Sequence, residues 1–389
     1  MISLPLILFW ASAFLVVTTY LLYPAILRLL VGKQGRPAGA TTGEREERPL
    51  LHVTLIVVAH NEEIVIGRRI RNLADLDYPM DHLQVLVLSD GSSDTTVAQA
   101  QAAAASNMQV MEFTQRLGKS RVLSASLDRV EGEIVVFTDA NSLFEPGSLR
   151  ALVDPFRDRT VGCVVGELVY CNTDQPRVAR GEGLYWRYEN AVKRWESLLG
   201  STIVANGSIY AVRRDLIRPL VPHVDFDSLL PLQVIRSGCR VVFQPAARAT
   251  EKAAETLAEE YRRKVRIINQ QIWGLVSVRG LLTWRTRWVA LGVFCHKVLR
   301  WSVPFLLGLN LLAALLLLPR HVPSLAVGAH LFLALAAVFG LILDRLRLPA
   351  GWLWIATYFW AVNLASLHAV LSCLAGRRIL SWEKAASTR

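Results

Sequence analysis

Cysteine is scarce and scattered in this chain of 389 residues, which excludes two kinds of site. The five cysteines form no CxxC pair and have no histidine partners at zinc-binding spacing, so we expect neither a zinc site nor a disulfide framework. A GxGxxG fingerprint is also missing. The segment Gly118-Lys119-Ser120 matches the end of a P-loop, but Phe113 stands where that motif needs glycine. A P-loop ATPase is therefore excluded as well.

Acidic residues are fewer than basic ones, and no nucleic-acid-binding motif accompanies the net charge of +11. Much of the positive charge lies beside apolar segments, where anionic lipid headgroups are the natural partner. The composition therefore predicts binding to a lipid bilayer and no binding to nucleic acid.

Long apolar runs lie near both ends of the chain and not in its middle. Residues 2–31 contain no charge before Arg28, which gives ample length for one membrane helix. This run lacks a positive n-region and a small-residue cleavage site, so we expect a retained anchor. Further spans are predicted at residues 305–318, 324–343 and 352–374. The predicted organisation is a transmembrane helix (1–31), a linker (32–50), a catalytic domain (51–270), interfacial amphipathic helices (271–300), about three transmembrane helices (301–376) and a basic tail (377–389).

Basic residues flank only one end of the first span, where Arg28, Lys33 and Arg36 lie. The positive-inside rule then predicts a multi-pass protein of the cell (inner) membrane with its catalytic domain in the cytoplasm. Four spans would leave the basic tail outside, which conflicts with the rule. Either residues 296–300 belong to an additional or re-entrant segment, or the tail breaks the rule.

The middle of the chain alternates apolar strand patterns with helical patterns. Strands are predicted at residues 53–59, 84–89, 109–113 and 134–139, and Asn61 is predicted to cap the first helix between them. Repeats of this kind form right-handed βαβ units and a parallel sheet. Polar residues follow the strands repeatedly, at the place where nucleotide phosphates approach helix N-termini. The predicted class is α/β with a Rossmann-like, mostly parallel sheet.

The fourth strand ends at Asp139, and Asn141 follows two residues later. Taken alone, this stretch is better explained as a strand followed by an ordinary polar turn. Ligands of open α/β sheets, however, bind at the carboxyl ends of strands. An acid and an amide at this spacing point the same way and suit one hard cation that bridges to phosphates. Polar residues follow several buried strands one after another, which independent turns would rarely produce. We therefore predict a site here with Asp139 and Asn141 as metal ligands.

The sequence between the fourth predicted strand and the C-terminal apolar runs shows a less regular alternation of strand and helix patterns. A strand is predicted at 161–170, an aromatic and basic helix at 181–199 near the membrane surface or the acceptor, and a polar turn at 206–208 before a short strand. A helix follows Asp227 to residue 237, and another strand spans 240–243. A basic helix starts at Glu259, and residues 272–288 are typical of a segment in the headgroup plane.

Residues 53–273 together resemble the family 2 glycosyltransferases with a GT-A fold, especially the membrane-embedded branch that includes polysaccharide synthases. The resemblance implies a cytosolic GT-A domain flanked by transmembrane helices. Glu62 matches the strand-one acid that contacts the nucleoside, and Asp90 matches the acid that reads the uracil ring. The full set that matches nucleotide-sugar-binding positions is Ala59, Asn61, Glu62, Asp90, Lys119, Asp139, Arg263 and Arg266.

The resemblance also implies catalytic groups and a metal. Asp227 looks like the family's general base, and Asp225 is the alternative. Asp139 and Asn141 stand at the DxD motif, where asparagine replaces the second acid and can still ligate Mg²⁺ or Mn²⁺ through its carbonyl oxygen. Residues 263–267 lie where processive synthases carry QxxRW, with arginine for glutamine and isoleucine for tryptophan. The resemblance therefore does not carry processive synthesis over to this chain.

The predicted function is an integral-membrane, inverting glycosyltransferase that moves a sugar from a nucleotide sugar, with UDP-sugar favoured, to a glycan or lipid-linked acceptor in exopolysaccharide biosynthesis. Two alternatives remain open. One is a single-sugar glycolipid synthase similar to the ceramide-glucosylating enzymes. The other is a catalytically impaired, nucleotide-binding membrane partner. The sequence predicts no oligomeric state.

Overall fold

The computed structural model describes residues 3–34, 49–171, 177–218, 224–278, 287–346, 348 and 351–379. Most of the predicted linker, part of the predicted interfacial segment (279–286) and most of the predicted tail (380–389) lie outside the described residues.

The described chain contains the following elements. The α-helices are α1 (Leu4–Val17), α2 (Tyr23–Gln34), α3 (Ile66–Ala74), α4 (Thr96–Ala103), α5 (Lys119–Ser126), α6 (Ser148–Val153), α7 (Arg177–Leu199), α8 (Phe226–Arg236), α9 (Leu257–Ser277), α10 (Arg287–Gly292), α11 (Leu299–Leu316), α12 (His321–Arg345) and α13 (Leu353–Leu374). The strands are β1 (Val53–Ala59), β2 (Leu83–Asp90), β3 (Met108–Phe113), β4 (Ile134–Asp139), β5 (Leu143–Phe144), β6 (Val161–Tyr170), β7 (Tyr210–Arg213) and β8 (Arg240–Glu251). Short π-helical segments, Thr18–Leu22 and Val293–Val298, join α1 to α2 and α10 to α11.

These strands form one sheet in the order β3-β2-β1-β4-β7-β6-β8-β5. β1 pairs in parallel with both β2 and β4, and β3 pairs in parallel with β2. The four strands predicted along the first half of the domain therefore adopt the predicted parallel arrangement. The other half is mixed, because β7 lies antiparallel between β4 and β6, and β8 is parallel to β6.

The central strands are buried on both faces, as their unbroken apolar sequences require. Every residue of β1 is buried. Leu55 packs in the cluster that includes Ile70 of α3, whereas its neighbour Ile56 packs in the opposite cluster with Val122 of α5. Successive side chains of a strand point to opposite faces, so helices cover the sheet on both sides.

Two local predictions differ from the structure. Helix α3 begins only at Ile66, so the prediction that Asn61 caps it is wrong. Asn61 instead adopts the left-handed backbone conformation (φ 51°), which asparagine tolerates, and its Oδ1 accepts a hydrogen bond from the Ser93 backbone N–H (2.8 Å). The strand predicted at 240–243 continues to Glu251, because pairing with β6 outweighs its polar composition.

Four helical segments among the described residues are long and apolar enough to cross a membrane: Leu4–Lys33, Trp288–Leu316, His321–Arg345 and Leu353–Leu374. The second begins earlier than its predicted start at residue 305, because α10, the π-helical segment and α11 run together. Helix α13 packs against α9, with Ala365 and Ala369 in one cluster with Val265 and Ile268. This contact seats the apolar helices against the sheet domain.

Candidate active site

The carboxyl ends of the parallel strands lie side by side at one edge of the sheet. The register pairs Ala59 of β1 with Ser89 of β2, and Val58 of β1 with Asp139 of β4. Asp139 therefore stands one strand away from the loop that follows β1. This is the edge at which ligands bind in open α/β sheets.

Lys119 and Asp139 form an ion pair at this edge. The Lys119 Nζ lies 2.6 Å from Asp139 Oδ1, and the two side chains are 18% and 19% exposed. Lys119 is the first residue of α5, which follows Gly118. Burial lowers the pKa of Lys119, but the carboxylates of Asp139 and Asp227 outweigh burial and hold that pKa above its ordinary value.

Gly207 marks the point where three functional groups converge. A Cβ placed on Gly207 would lie 3.4 Å from Asp139 Oδ2, 3.4 Å from Asp227 Oδ2 and 3.4 Å from Lys119 Nζ. The two carboxylate oxygens can therefore be no farther apart than twice that distance. Asp139 and Asp227, which are distant in sequence, face the same small space.

The turn that carries Gly207 is held by Asn206. The Asn206 side chain accepts a hydrogen bond from the Ile209 backbone N–H (3.0 Å) and donates one to the Gly166 carbonyl (3.1 Å). The sequence indicated only a tight polar turn at this place. Because the loop reaches Asp139 through the antiparallel pairing of β7 with β4, no local signal could have placed Gly207 in the site.

Asp227 lies in the first turn of α8, and Asp225 occupies the position just before that helix. Burial raises the pKa of Asp227 to about 7, and the negative charges of Asp225 and Asp139 add to this effect. Lys119 and Arg266 oppose the rise. A carboxylate with a pKa near neutrality can take up a proton at physiological pH, which is the property of a general base.

These residues line a cavity of about 860 Å³. The predicted site residues on its wall are Lys119, Asp139, Asn141, Asp225, Asp227, Arg263 and Arg266. Glu251, at the end of β8, also lines the cavity and accepts a hydrogen bond from the Ser142 hydroxyl. The sequence missed Glu251 because its strand was predicted to end at residue 243.

The two predicted arginines of α9 have different surroundings. Arg263 donates hydrogen bonds to Glu260 Oε2 (2.9 Å) and to the Tyr170 hydroxyl (3.0 Å). Arg266 has no hydrogen bond or ion pair with any other residue that the structure describes, and its charge lowers the pKa of Asp227. Arg266 is therefore the better placed of the two to meet an anionic ligand.

The predicted nucleoside-contacting residues lie outside the cavity wall. Asp90 is fully buried, and its carboxylate accepts hydrogen bonds from the backbone N–H groups of Leu117 (2.6 Å) and Gly118 (2.9 Å). In this way Asp90 fixes the loop that leads to Lys119. Glu62 is buried as well, and its backbone N–H donates to the Thr96 hydroxyl (2.8 Å). Ala59, the last residue of β1, is buried beside them.

The side-chain oxygen atoms of the site could coordinate a hard divalent cation only if a phosphate-bearing ligand supplied further oxygen ligands. Asp139 offers a carboxylate and Asn141 an amide oxygen on the wall of the cavity. No group of three or more His, Cys, Asp or Glu side chains among the described residues is arranged to hold a metal ion by itself. Magnesium characteristically binds through one or two carboxylates and completes its shell with substrate phosphates. The residues present fit that mode.

Comparison with known proteins finds similarity to glycosyltransferases. Residues 54–220 match the model described as "Glycosyl transferase family 2". An "N-acetylglucosaminyltransferase" of Rhizobium leguminosarum bv. viciae is 24% identical over 238 residues, which cover 57% of this chain and 56% of that protein. A "Beta-monoglucosyldiacylglycerol synthase" of Synechocystis sp. is 30% identical over 178 residues, covering 45% of this chain and 37% of that protein. The chain thus spans about half the length, or less, of these curated relatives.

One solved structure shares the fold over nearly the whole chain. The mannosyltransferase PcManGT from Pyrobaculum calidifontis, solved in complex with GDP-Man and Mn²⁺, superposes with a TM-score of 0.67 at 21% identity. The alignment covers 92% of this chain and 99% of that protein. This likeness concerns the fold alone, and it confirms the predicted GT-A class.

Proposed function

Because residues 54–220 match the model of glycosyl transferase family 2, we propose that this chain transfers a sugar from a nucleotide sugar to a hydroxyl group of an acceptor held at the membrane. The observation that carries the proposal is the approach of Lys119, Asp139 and Asp227 to one point beside Gly207. A cation, a metal-ligating carboxylate and a buried carboxylate of raised pKa are the groups that such a transfer needs.

The donor diphosphate is assigned to the edge of the sheet that carries Lys119. Its negative charge would be met by Lys119 and Arg266, both of which line the cavity. The nucleoside would lie beyond them, toward Ala59, Asn61, Glu62 and Asp90, and a UDP-sugar is the expected donor. Asp90 supports this arrangement indirectly, since its hydrogen bonds fix the Leu117-Gly118 backbone just before Lys119.

Asp139 and Asn141 are assigned as ligands of Mg²⁺ or Mn²⁺, together with diphosphate oxygens. Such an ion, when bound, neutralises the charge of the departing diphosphate. Asp139 pairs with Lys119 at 2.6 Å, so a bound ion and the Lys119 ammonium would both act on the diphosphate.

Asp227 is assigned as the general base. The acceptor oxygen forms a bond to the anomeric carbon while the bond from that carbon to the diphosphate oxygen breaks. The electron pair leaves with the diphosphate, and the acceptor's proton passes to a carboxylate oxygen of Asp227. Attack from the side opposite the leaving group inverts the anomeric centre. Asp225 is the alternative base, and its charge already raises the pKa of Asp227.

The acceptor is assigned to the side of the cavity that faces the apolar helices. Tyr20, Trp301 and Phe359 belong to three different candidate spans, and all three line the cavity that holds Asp227. An acceptor in this cavity is therefore a membrane component, such as a glycolipid or a lipid-linked glycan of exopolysaccharide assembly. The catalytic domain, predicted at 51–270, would lie on the cytoplasmic face of the inner membrane.

A non-catalytic membrane partner that binds nucleotide is the second candidate. The observation in its favour is Asn141, which stands where the DxD motif has its second acid. The approach of Lys119, Asp139 and Asp227 to one point favours catalysis over this candidate, because it brings a buried carboxylate beside the groups assigned to the donor diphosphate.

The test is a panel assay on the purified full chain in lipid nanodiscs. Several UDP-sugars and GDP-mannose are supplied with Mg²⁺ or Mn²⁺, and release of the nucleoside diphosphate is measured with and without an extract of total membrane lipids. We expect release with one donor, dependent on the divalent ion and stimulated by the extract. Binding of a donor without any release would favour the non-catalytic partner.

A further inference from the structure

A second group of charged side chains lies at the membrane side of the same cavity, and four of its members, Glu189, Lys193, Lys297 and Arg300, line the cavity wall. It consists of Glu189, Lys193 and Glu196 of α7 together with His296, Lys297 and Arg300 of the adjoining apolar helix. The mechanism proposed above uses none of them.

Both glutamates of this group contact other side chains directly. Glu196 Oε1 lies 2.8 Å from His296 Nδ1 and accepts a hydrogen bond from the Tyr23 hydroxyl (2.7 Å). Glu189 Oε1 lies 2.9 Å from His296 Nε2, and its Oε2 accepts a hydrogen bond from Arg300 (2.7 Å). His296 thus bridges the two glutamates, and Arg300 forms an ion pair with Glu189.

The two lysines of the group, Lys193 and Lys297, have no such direct contact with a carboxylate among the described residues. The Lys193 side chain is 1% exposed, and its Nζ has no hydrogen-bond partner among the residues that the structure describes. The Lys193 Nζ lies over the face of the Trp186 ring, 4.5 Å from its centroid. Within the same described portion of the chain, Lys297 has no carboxylate within ion-pair distance either. Burial lowers the pKa of Lys193 to about 8, although the charges of Glu189 and Glu196 oppose this effect.

Burying an ammonium group without a hydrogen-bonded partner costs free energy, and a bound anion would offset that cost. Both lysines line the cavity that holds Asp227, and the carboxylate of Asp227 acts on Lys193 electrostatically. The same cavity is walled by Tyr20 and Phe359 of two candidate spans. A ligand of these lysines thus lies between the proposed base and the bilayer.

We propose that Lys193 and Lys297 form a subsite for the phosphate of a lipid acceptor, whose apolar chain lies along the spans while its hydroxyl-bearing end reaches Asp227. This inference rests on the proposed function and names the chemical class of its acceptor. The phosphate binds and is not consumed. The attacking oxygen is the acceptor's hydroxyl, its proton goes to Asp227, and the nucleoside diphosphate leaves with the electron pair of the broken bond.

The experiment measures binding of dodecyl phosphate to the full chain in phosphatidylcholine nanodiscs by titration calorimetry. Dodecanol serves as the uncharged probe, and inorganic phosphate serves as the probe without a chain. The variants are K193Q, K297Q, the double glutamine variant, the double arginine variant K193R/K297R, and K33Q as a control. Lys33 is an exposed lysine at the end of the first span, outside the cavity. Donor binding and donor hydrolysis are measured in parallel on every variant.

We expect the wild-type chain to bind dodecyl phosphate and not dodecanol, and each glutamine substitution to weaken that binding about tenfold. K193R/K297R and K33Q should bind like the wild type, and donor binding should be unchanged in all variants. If the double glutamine variant fails to fold, the two single variants carry the test.

Three results would overturn the inference: equal binding of dodecanol, equal binding of inorganic phosphate with the same dependence on the lysines, or undiminished binding of dodecyl phosphate by the glutamine variants. Failure of the wild-type chain to bind or hydrolyse any nucleotide sugar would instead overturn the proposed function. The two failures are thus distinguishable.

Discussion

The Nζ atom of Lys119 lies 2.6 Å from Oδ1 of Asp139, beside a glycine whose position keeps the space around both groups open. The lysine ammonium thus stands within reach of any anion that approaches the carboxyl end of β4. In the proposed mechanism this anion is the donor diphosphate.

Replacing Lys119 with glutamine should weaken donor binding. Loss of one charge-assisted contact costs about 1.5–3 kcal/mol, which corresponds to roughly a 10- to 100-fold loss of affinity. Titration calorimetry with UDP measures the effect, and K119R, which keeps the charge, should retain most of the affinity. Unaltered UDP binding by K119Q would remove Lys119 from the donor site.

Replacing Gly207 with alanine should block the site without unfolding the domain. The added Cβ would sit 3.4 Å from Asp139, Asp227 and Lys119, a distance that packing tolerates, but it would fill the space at which the three groups converge. We expect turnover to fall by about tenfold or more, in keeping with the cost of misplacing reacting groups. The midpoint of thermal unfolding should stay near that of the wild type.

The matched control for this variant is Gly147→Ala. Gly147 precedes α6 and has a negative φ of −83°, and no neighbouring atom lies within 4 Å of the position that a Cβ would take, so alanine fits there. This variant should keep both stability and turnover. Equal turnover in G207A and G147A would show that the space beside Gly207 is not used.

We expect the two arginines of α9 to have different roles: Arg266 binds the nucleotide, and Arg263 stabilises the fold. R266Q should weaken UDP binding and leave the thermal midpoint unchanged, because Arg266 has no ion pair among the described residues. R263Q should lower stability by about 1–3 kcal/mol, because it removes the hydrogen bonds of Arg263 to buried Glu260 and to Tyr170. Thermal unfolding and UDP titration on both variants measure the split, and the reverse pattern would contradict it.

The sequence predicted the parallel half of the sheet because each of its strands is a short apolar run between helices. β6 was also predicted with its observed bounds, Val161–Tyr170. The end of β8 was missed because that strand is polar beyond Phe243, and only its pairing with β6 holds it in the sheet. Pairing between strands that are distant in sequence cannot be predicted from the local sequence of either strand.

The candidate site was predictable where a polar residue ends a buried strand, as Asp139 does. Gly207 and Lys193 were not predictable in this way. Gly207 lies in a turn of ordinary sequence, and only the pairing of β7 with β4 brings that turn to the site. Lys193 lies in a helix whose aromatic and basic composition is typical of a membrane surface. Their roles follow from the groups that the fold brings to them.

The pH dependence of kcat/KM should reflect the titration of Asp227. The base must be deprotonated to act, so kcat/KM should be low at acidic pH, rise with an apparent pKa of about 7 and level off above it. Burial and the charge of Asp225 raise this pKa, so D225N should move the rise to lower pH. A profile measured on both proteins would contradict the assignment if D225N moved the rise upward or removed it.

The measurement that tests the central claim most directly compares turnover and donor affinity in D227N. Loss of a general base typically lowers kcat by about 10²–10⁴-fold, while a neutral side chain of the same shape should leave the donor Kd within a few-fold of the wild type. We predict that combination for D227N. Turnover close to that of the wild type, or a loss of donor affinity as large as the loss of turnover, would contradict the account.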